Sequence, residues 1–140
     1  MGIALNPNDF KNWDEIKDTI TANFNSFTCE NEMKPDAILR QKESQNGLAD
    51  GSTYKDPVVD FSRSNAAVLR ALENDIKIRL HTLVWHAQTP RWFFTEDYTD
   101  EGEYVSREVM LARMESYIRQ VLTYFDTEYP GLVYAVDVVN

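Results

Sequence analysis

Apolar and polar positions divide the chain into short apolar runs that alternate with longer stretches of helical periodicity. Four runs have the length and composition of β-strands: Gly2–Leu5, Ser26–Cys29, Ile76–Val84 and Leu132–Val139. Three stretches carry apolar residues at helical spacing: 13–24, 62–73 and 106–129. The predicted order is therefore β-α-β-α-β-α-β, which is typical of a parallel sheet with right-handed crossovers.

Polar residues at the predicted helix starts support these assignments. Asn12, with Glu15 three residues later, resembles a capping box, while Ser62 and Ser106 are plausible N-caps of the next two helices. Residues 41–59 are polar and show little periodicity, so the pattern predicts a long loop there.

The last predicted strand raises a question about the extent of the sheet. Its run of valines is apolar on both faces, as in a buried parallel strand. No helix follows Val139 to cover that edge, and an exposed apolar edge promotes aggregation. The pattern therefore indicates either a four-stranded domain with an unusual edge or one part of a larger sheet.

Composition narrows the possible partners. The 140 residues are about one domain in length, 43% hydrophobic and 26% charged, with a net charge of −9 and a pI of about 4.6. An acidic chain argues against nucleic acid and anionic membranes as partners, because both require basic patches. Cys29 is the single cysteine, so no internal disulfide or CxxC metal site is expected. No stretch approaches the roughly 20 apolar residues of a membrane span.

Charged residues gather directly after the second predicted strand. Glu30 and Glu32 could share a face if the strand continues, and two neighbouring carboxylates suggest acid/base chemistry of the kind used in sugar hydrolysis. The alternative is structural: Lys34 neutralises one carboxylate and the other is solvated. The sequence of residues 30–34 leaves both interpretations open.

The third predicted strand ends in a polar and aromatic segment. His81, Trp85, His86 and Gln88 precede Pro90, where the strand should already have ended. The histidines lack a carboxylate or thiolate at ligand spacing, so zinc fits poorly, and no cofactor is expected. Tryptophan side chains can be core residues, but their faces also stack on sugar rings while amides and imidazoles bind hydroxyls. Apolar walls with a few placed polar groups are typical of ligand sites.

Three segments together resemble the motifs of glycoside hydrolase family 10, in that family's order and spacing: Asn25–Lys34, His81–Gln88 and Asp137–Asn140. Gly2–Leu5 also resembles its first strand, and Val59–Ser62 its entry to the second helix. The family consists mainly of endo-β-1,4-xylanases with a (β/α)8 TIM barrel. The resemblance implies that residues 1–140 are the N-terminal part of one catalytic domain, the first half of the barrel.

The resemblance also implies roles for individual residues. Three match residues that bind sugars on the non-reducing side of the cleaved bond: Glu30, Asn31 and Lys34. His81 and Trp85 match residues that line the subsite at the cleaved bond, and Gln88 matches a contact to a neighbouring sugar. His86 matches a position near the catalytic carboxylates, and Asn140 matches the asparagine that contacts the sugar 2-hydroxyl. Contacts to the 2-hydroxyl matter because they strengthen in the transition state.

The family's catalytic carboxylates are not among these residues. Its acid/base glutamate would follow Asn140 immediately, and its nucleophile lies on a later strand. The resemblance therefore implies a retaining enzyme. This segment would be active only together with the remaining half of the barrel, on the same polypeptide or another chain. The implied partner is xylan or xylo-oligosaccharide, and secretion is implied only by the polymeric substrate, because the N-terminus does not resemble a signal peptide.

Two other functions stay open on the sequence. One is a half-barrel that binds xylan or xylo-oligosaccharides without catalysis. The other is a different parallel α/β protein in which Glu30 and Glu32 are the acid/base pair. Substituting Glu30 separates the last of these from a xylanase, because only there does Glu30 perform the chemistry.

Overall fold

The computed structural model describes residues 1–51 and 56–140. Its strands are, in chain order, β1 (Gly2–Leu5), β2 (Ser26–Cys29), β3 (Leu39–Arg40), β4 (Val58–Val59), β5 (Lys77–Val84) and β6 (Val133–Val139). Its α-helices are α1 (Pro7–Lys11), α2 (Trp13–Asn23), α3 (Pro35–Ile38), α4 (Gln41–Ala49), α5 (Asn65–Glu73) and α6 (Arg107–Glu128). Short 3-10 helices cover Ser62–Ser64, Arg91–Phe94 and Glu96–Tyr98.

The main sheet has four strands in the order β1-β2-β5-β6, and every neighbouring pair is parallel. The register places Leu5 opposite Cys29, and His81 opposite Asp137. Strands β3 and β4 form a separate antiparallel pair. The predicted β-α-β-α-β-α-β order of the main sheet is therefore confirmed, and all four carboxyl ends lie at one edge.

The sheet has one face packed against helices and one open face. Along β5, Ile78 and Leu80 are fully buried while Lys77 and Arg79 are exposed, because successive side chains on a strand point to opposite faces. The core cluster joins these two apolar residues to α2, α5 and α6 through Ile20, Val68, Tyr117 and others. Polar side chains consequently line the open face.

Strand β6 differs from the prediction of a strand buried on both faces. Tyr134 is 56% exposed and Val139 is 72% exposed, so β6 is a half-exposed edge of the described sheet. No residue of β6 is fully buried, and only Val133 and Val136 pack, partly buried, against the core. The exposed residues are available to contact further sheet, as the larger-sheet alternative requires.

Helix α6 begins and packs largely as predicted. The Ser106 Oγ accepts a hydrogen bond from the Val109 N–H at 3.3 Å, which confirms the N-cap. Tyr117, Val121 and Phe125 are buried at four-residue spacing, whereas Leu122 is exposed.

The long loop predicted over residues 41–59 is wrong for Gln41–Ala49, which form α4, and for Val58–Val59, which pair with β3. Residues 52–55 of the predicted loop lie outside the described part of the chain. Helix α4 is held by polar contacts, since the Ser44 hydroxyl donates to the Arg40 carbonyl at 2.6 Å and accepts from the Val58 N–H at 2.9 Å.

The capping box predicted at Asn12 is also wrong. Asn12 has φ −98° and ψ 24°, and its side chain makes no capping hydrogen bond. The capping box belongs instead to α1, where the Asn6 side chain accepts from the Asp9 N–H and the Asp9 carboxylate accepts from the Asn6 N–H. Pro7 at the first helical position supports this earlier start.

Candidate functional site

The residues singled out in the sequence lie where β2, β5 and β6 end. Four of them line one cavity of about 730 Å³ on the open face of the sheet: Glu30, Asn31, Lys34 and His81. Parallel α/β folds place ligand sites at this edge of the sheet. The segment after β2 and strand β5 therefore contribute to the same cavity although Glu30 and His81 are about 50 residues apart in the chain.

Lys34 connects the segment after β2 to the segment after β5. Its Nζ donates a hydrogen bond to Gln88 Oε1 at 2.7 Å and lies 5.0 Å from the centre of the Trp85 ring. The Gln88 carbonyl accepts from the Asp36 N–H at 3.1 Å, so the two segments are also joined through the backbone. A cation beside an aromatic face and an amide gives a cluster that can bind hydroxyl groups and stack on a sugar ring.

Asp137 on β6 holds two side chains of β5. Its carboxylate accepts from Arg79 Nη2 at 2.6 Å and from Arg79 Nε at 3.0 Å, and its Oδ2 lies 2.9 Å from His81 Nδ1. The hydrogen bond from Arg79 lowers the pKa of Asp137 most strongly. Burial opposes this shift, and the hydrogen bond from His81 adds to it. The ring of His81 is therefore oriented by a carboxylate on the neighbouring strand.

We expect Asp137→Asn to lose stability that depends on pH. A carboxyl whose pKa is lowered on folding stabilises the protein above its unfolded pKa, and this contribution disappears as pH falls through the folded value. The unfolding free energies of the unmodified and Asp137→Asn proteins should thus differ at pH 7, and the difference should begin to shrink near pH 4 and vanish below the folded pKa of Asp137. Urea titrations of the complete protein from pH 7 downward measure this, with exposed Asp126→Asn as control. A difference that stays constant with pH would contradict the prediction.

Two other predicted site residues, His86 and Asn140, are exposed and do not line the cavity. His86 is exposed, and its ring lies 5.8 Å from that of Trp85 in an edge-to-face arrangement. Asn140 is exposed at the end of β6, and its N–H donates to the Val84 carbonyl at 3.0 Å. Trp92, in contrast, is buried in the core. The individual roles implied for the exposed residues stay predictions.

Glu30 and Glu32 do not form a pair on one face. Strand β2 ends at Cys29, after which Glu30 is exposed and Glu32 is only 8% exposed. The suggestion that the two carboxylates share a face is therefore wrong, because the backbone turns away from the strand between them. Within the described residues, Glu32 Oε1 is buried without a hydrogen-bond partner.

Cys29 lies beneath this segment and is fully buried. Burial, and to a lesser extent the charge of Glu32, raises the pKa of its thiol far above the ordinary value. A thiol that stays protonated is a poor nucleophile and a poor metal ligand.

Arg79 and Tyr134 also line the cavity, although the sequence did not single them out. Arg79 was detectable in principle, because it alternates with Ile78 and Leu80 and so must share the face of His81. Among residues 1–51 and 56–140, no group of three or more histidine, cysteine, aspartate or glutamate side chains could hold a metal ion. None of the helices in the same ranges is long and apolar enough to cross a membrane.

Comparison with known proteins gives a consistent result over the whole chain. The model of the family described as Glycosyl hydrolase family 10 matches residues 1–140. The chain is 44% identical over 141 residues to endo-1,4-beta-xylanase Y of Acetivibrio thermocellus, covering 100% of this chain and 12% of that protein. It is 47% identical over 118 residues to endo-1,4-beta-xylanase B of Butyrivibrio fibrisolvens, covering 84% of this chain and 18% of the relative.

Solved structures agree with the sequence relatives. The N-terminal endo-1,4-beta-D-xylanase 10B of Clostridium thermocellum, determined with xylohexaose, superposes with a TM-score of 0.86 at 44% identity, covering 99% of this chain and 26% of that one. A psychrophilic family 10 endo-beta-1,4-xylanase gives a TM-score of 0.72 at 29% identity, covering 99% and 37%. The chain thus spans about a quarter to a third of these structures, and its four parallel strands correspond to half of their (β/α)8 barrel.

Proposed function

We propose, because this chain belongs to glycoside hydrolase family 10, that the protein containing it is an endo-1,4-β-xylanase that hydrolyses β-1,4-xylosidic bonds in xylan with retention. The observation that carries the proposal is that Lys34 contacts both Gln88 and the Trp85 ring at the carboxyl edge of the sheet. An ammonium group, an amide and an indole face are the groups that bind the hydroxyls and the apolar face of a sugar.

In this proposal the segment supplies one wall of the substrate cleft. Glu30, Asn31 and Lys34 bind sugars on the non-reducing side, while His81, held by Asp137, faces the sugar at the cleaved bond. The two catalytic glutamates come from the remaining half of the barrel. One protonates the leaving oxygen and the other attacks the anomeric carbon, with their carboxyl groups about 5–5.5 Å apart.

The ligand seen in a relative supports the substrate class. The Clostridium thermocellum enzyme was determined in complex with xylohexaose, and the cavity described here has the polar and aromatic lining that such a chain needs. The acidic charge of −9 does not oppose binding, since xylan's backbone sugars are neutral.

Release of reducing ends from β-1,4-xylan by the complete protein tests the proposal. Release with retained anomeric configuration is expected. Binding of xylo-oligosaccharides without release would instead support a non-catalytic xylan-binding half-barrel, and neither binding nor release would reject both.

We expect Glu30→Ala in the complete protein to weaken xylo-oligosaccharide binding about tenfold while leaving measurable hydrolysis, because it removes one charge-assisted hydrogen bond. Steady-state kinetics should show a raised KM. Complete loss of hydrolysis would favour the alternative in which Glu30 performs acid/base chemistry. Exposed Glu43→Ala on α4 is the control for a general effect of removing a carboxylate.

A further inference from the structure

Arg79 lines the same cavity as His81, but the proposed function gives it no role. Its guanidinium bonds both oxygens of the Asp137 carboxylate, since Nη2 donates to Oδ1 at 2.6 Å and Nε donates to Oδ2 at 3.0 Å. The Arg79 side chain is 51% exposed, and an ion pair of this exposure contributes little to stability. The importance of the pair therefore lies in the geometry that it imposes on Asp137.

The Asp137 carboxylate is held in one orientation. Strand pairing places Asp137 opposite His81, and the Thr82 hydroxyl donates to the Asp137 carbonyl at 2.9 Å, so the backbone is fixed. Rotation of a carboxylate about the last bond of its side chain is otherwise soft. The two N–H groups of Arg79 form a planar fork that stops this rotation. As a result, Oδ2 stays 2.9 Å from His81 Nδ1.

The charge of Asp137 determines which nitrogen of His81 carries the hydrogen. The hydrogen bond from Arg79 holds the pKa of Asp137 below its ordinary value, so the carboxylate is ionised at neutral pH. An ionised carboxylate can only accept hydrogen bonds, and the hydrogen between the two groups therefore lies on Nδ1. Because a neutral imidazole has one N–H, the opposite nitrogen, Nε2, is then a hydrogen-bond acceptor.

The acceptor at Nε2 is available to a ligand. The His81 side chain is 27% exposed and lines the cavity of about 730 Å³. Within residues 1–51 and 56–140, its hydrogen bond is made at Nδ1 and none is made at Nε2. The Lys34 ammonium in the same cavity is a donor. A sugar hydroxyl both donates and accepts, so a site that binds it needs an acceptor as well as a donor.

We propose that Arg79 is a positioning residue, which locks Asp137 so that His81 carries its hydrogen on Nδ1 and presents Nε2 as an acceptor to a sugar hydroxyl. The proposal rests on the proposed xylanase function. Arg79 acts here through two other side chains and makes no contact with the sugar itself. Its contribution to hydrolysis should therefore exist only while His81 is present.

A double-mutant cycle in the complete protein tests this dependence. The variants are Arg79→Met, His81→Ala and the two combined, and the measured quantity is kcat/KM for an aryl β-xylobioside. We expect Arg79→Met alone to lower kcat/KM about tenfold, the loss of one hydrogen bond. In the His81→Ala background the same change should cause no further loss. Equal losses in both backgrounds would overturn the proposal, because Arg79 would then act independently of His81.

Nitrogen-15 NMR of histidine-labelled protein without substrate reads the tautomer directly. The signals of His81 are those that disappear in His81→Ala. At about pH 8, where imidazole is ordinarily neutral, the unmodified protein should show hydrogen on Nδ1, and Arg79→Met should show a mixture of both tautomers. Hydrogen on Nε2 in the unmodified protein, or an unchanged tautomer in Arg79→Met, would contradict the proposed role of Arg79.

This spectrum also separates the proposal from the proposed function. If the unmodified complete protein does not hydrolyse the xylobioside, the xylanase proposal is rejected, whereas the tautomers still decide whether Arg79 positions His81. Loss of activity with an unchanged tautomer rejects the role of Arg79 and leaves the xylanase proposal standing.

A second variant guards against a failure of Arg79→Met to fold. Arg79→Lys keeps the positive charge but cannot bond both carboxylate oxygens as a planar fork. It should lower kcat/KM less than Arg79→Met, and this loss should again vanish in the His81→Ala background; a loss that persists there would overturn the proposal. The control is Arg119→Met, which removes an exposed arginine paired with Glu115 on α6 and should change neither kcat/KM nor the tautomer.

Discussion

Arg113→Ala should destabilise the complete protein by about 3 kcal/mol, the largest effect on stability that we expect. Arg113 is fully buried on α6, where its Nη1 donates to the carbonyls of Phe93 at 2.5 Å and Thr95 at 3.0 Å. Its guanidinium carbon also lies 4.1 Å from the centre of the Tyr98 ring. Alanine would leave two buried carbonyls without this donor and a cavity beside the ring.

The expected loss is measurable as a lower urea midpoint and a lower Tm. Arg119→Ala on the same helix is the matched control, because Arg119 is exposed and pairs with exposed Glu115, a contact worth about 0.5 kcal/mol. Equal losses in the two variants would show that the hydrogen bonds of Arg113 contribute little. A second readout is proteolysis between residues 91 and 98, which Arg113→Ala should accelerate.

Lys34→Met should lower kcat/KM for short xylo-oligosaccharides about 100-fold, mainly through KM. The Lys34 ammonium has three donors, of which Gln88 takes one, so up to two are available for sugar hydroxyls. Methionine keeps the length of the side chain over Trp85 but removes every donor. Hydrogen bonds to charged groups contribute about 1.5–3 kcal/mol each, which sets the size of the effect.

Lys42→Met is the control for this substitution, since Lys42 is exposed on α4 and does not line the cavity that contains Lys34. Kinetics with xylobiosides and with longer chains separate binding near the cleaved bond from binding further away. A KM that does not change in Lys34→Met would remove Lys34 from the substrate site.

The strands and most helices were predictable because their hydrophobic patterns coincide with burial. Ser26–Cys29 was predicted from only four residues and is β2 with the same bounds. Helix α4 was missed because its stability comes from distant polar partners: Gln41 and Gln45 both donate to the Tyr98 carbonyl, more than 50 residues away. Periodicity cannot detect a helix of this kind.

The candidate site was predictable as a set of residue types at strand ends, but its contacts were not. The sequence placed Lys34 and Gln88 at two strand ends, yet their hydrogen bond depends on how the following segments turn. The buried position of Glu32 was equally hidden, because the turn after Cys29 ends the alternation of the strand. Arg113 has a charged side chain on a long helix, and only tertiary contacts with residues 93–98 explain its burial.

The buried thiol of Cys29 can serve as a chemical probe of how often the sheet opens. Cys29 lies on β2, between β1 and β5, and its raised pKa keeps it protonated at neutral pH. The thiolate, not the thiol, attacks alkylating reagents, so Cys29 is modified only in molecules where β2 has become accessible to solvent. The rate of alkylation, followed by mass spectrometry on the peptide that carries Cys29, consequently reports how often the inner strands separate, and bound oligosaccharide should slow that rate in proportion to its occupancy.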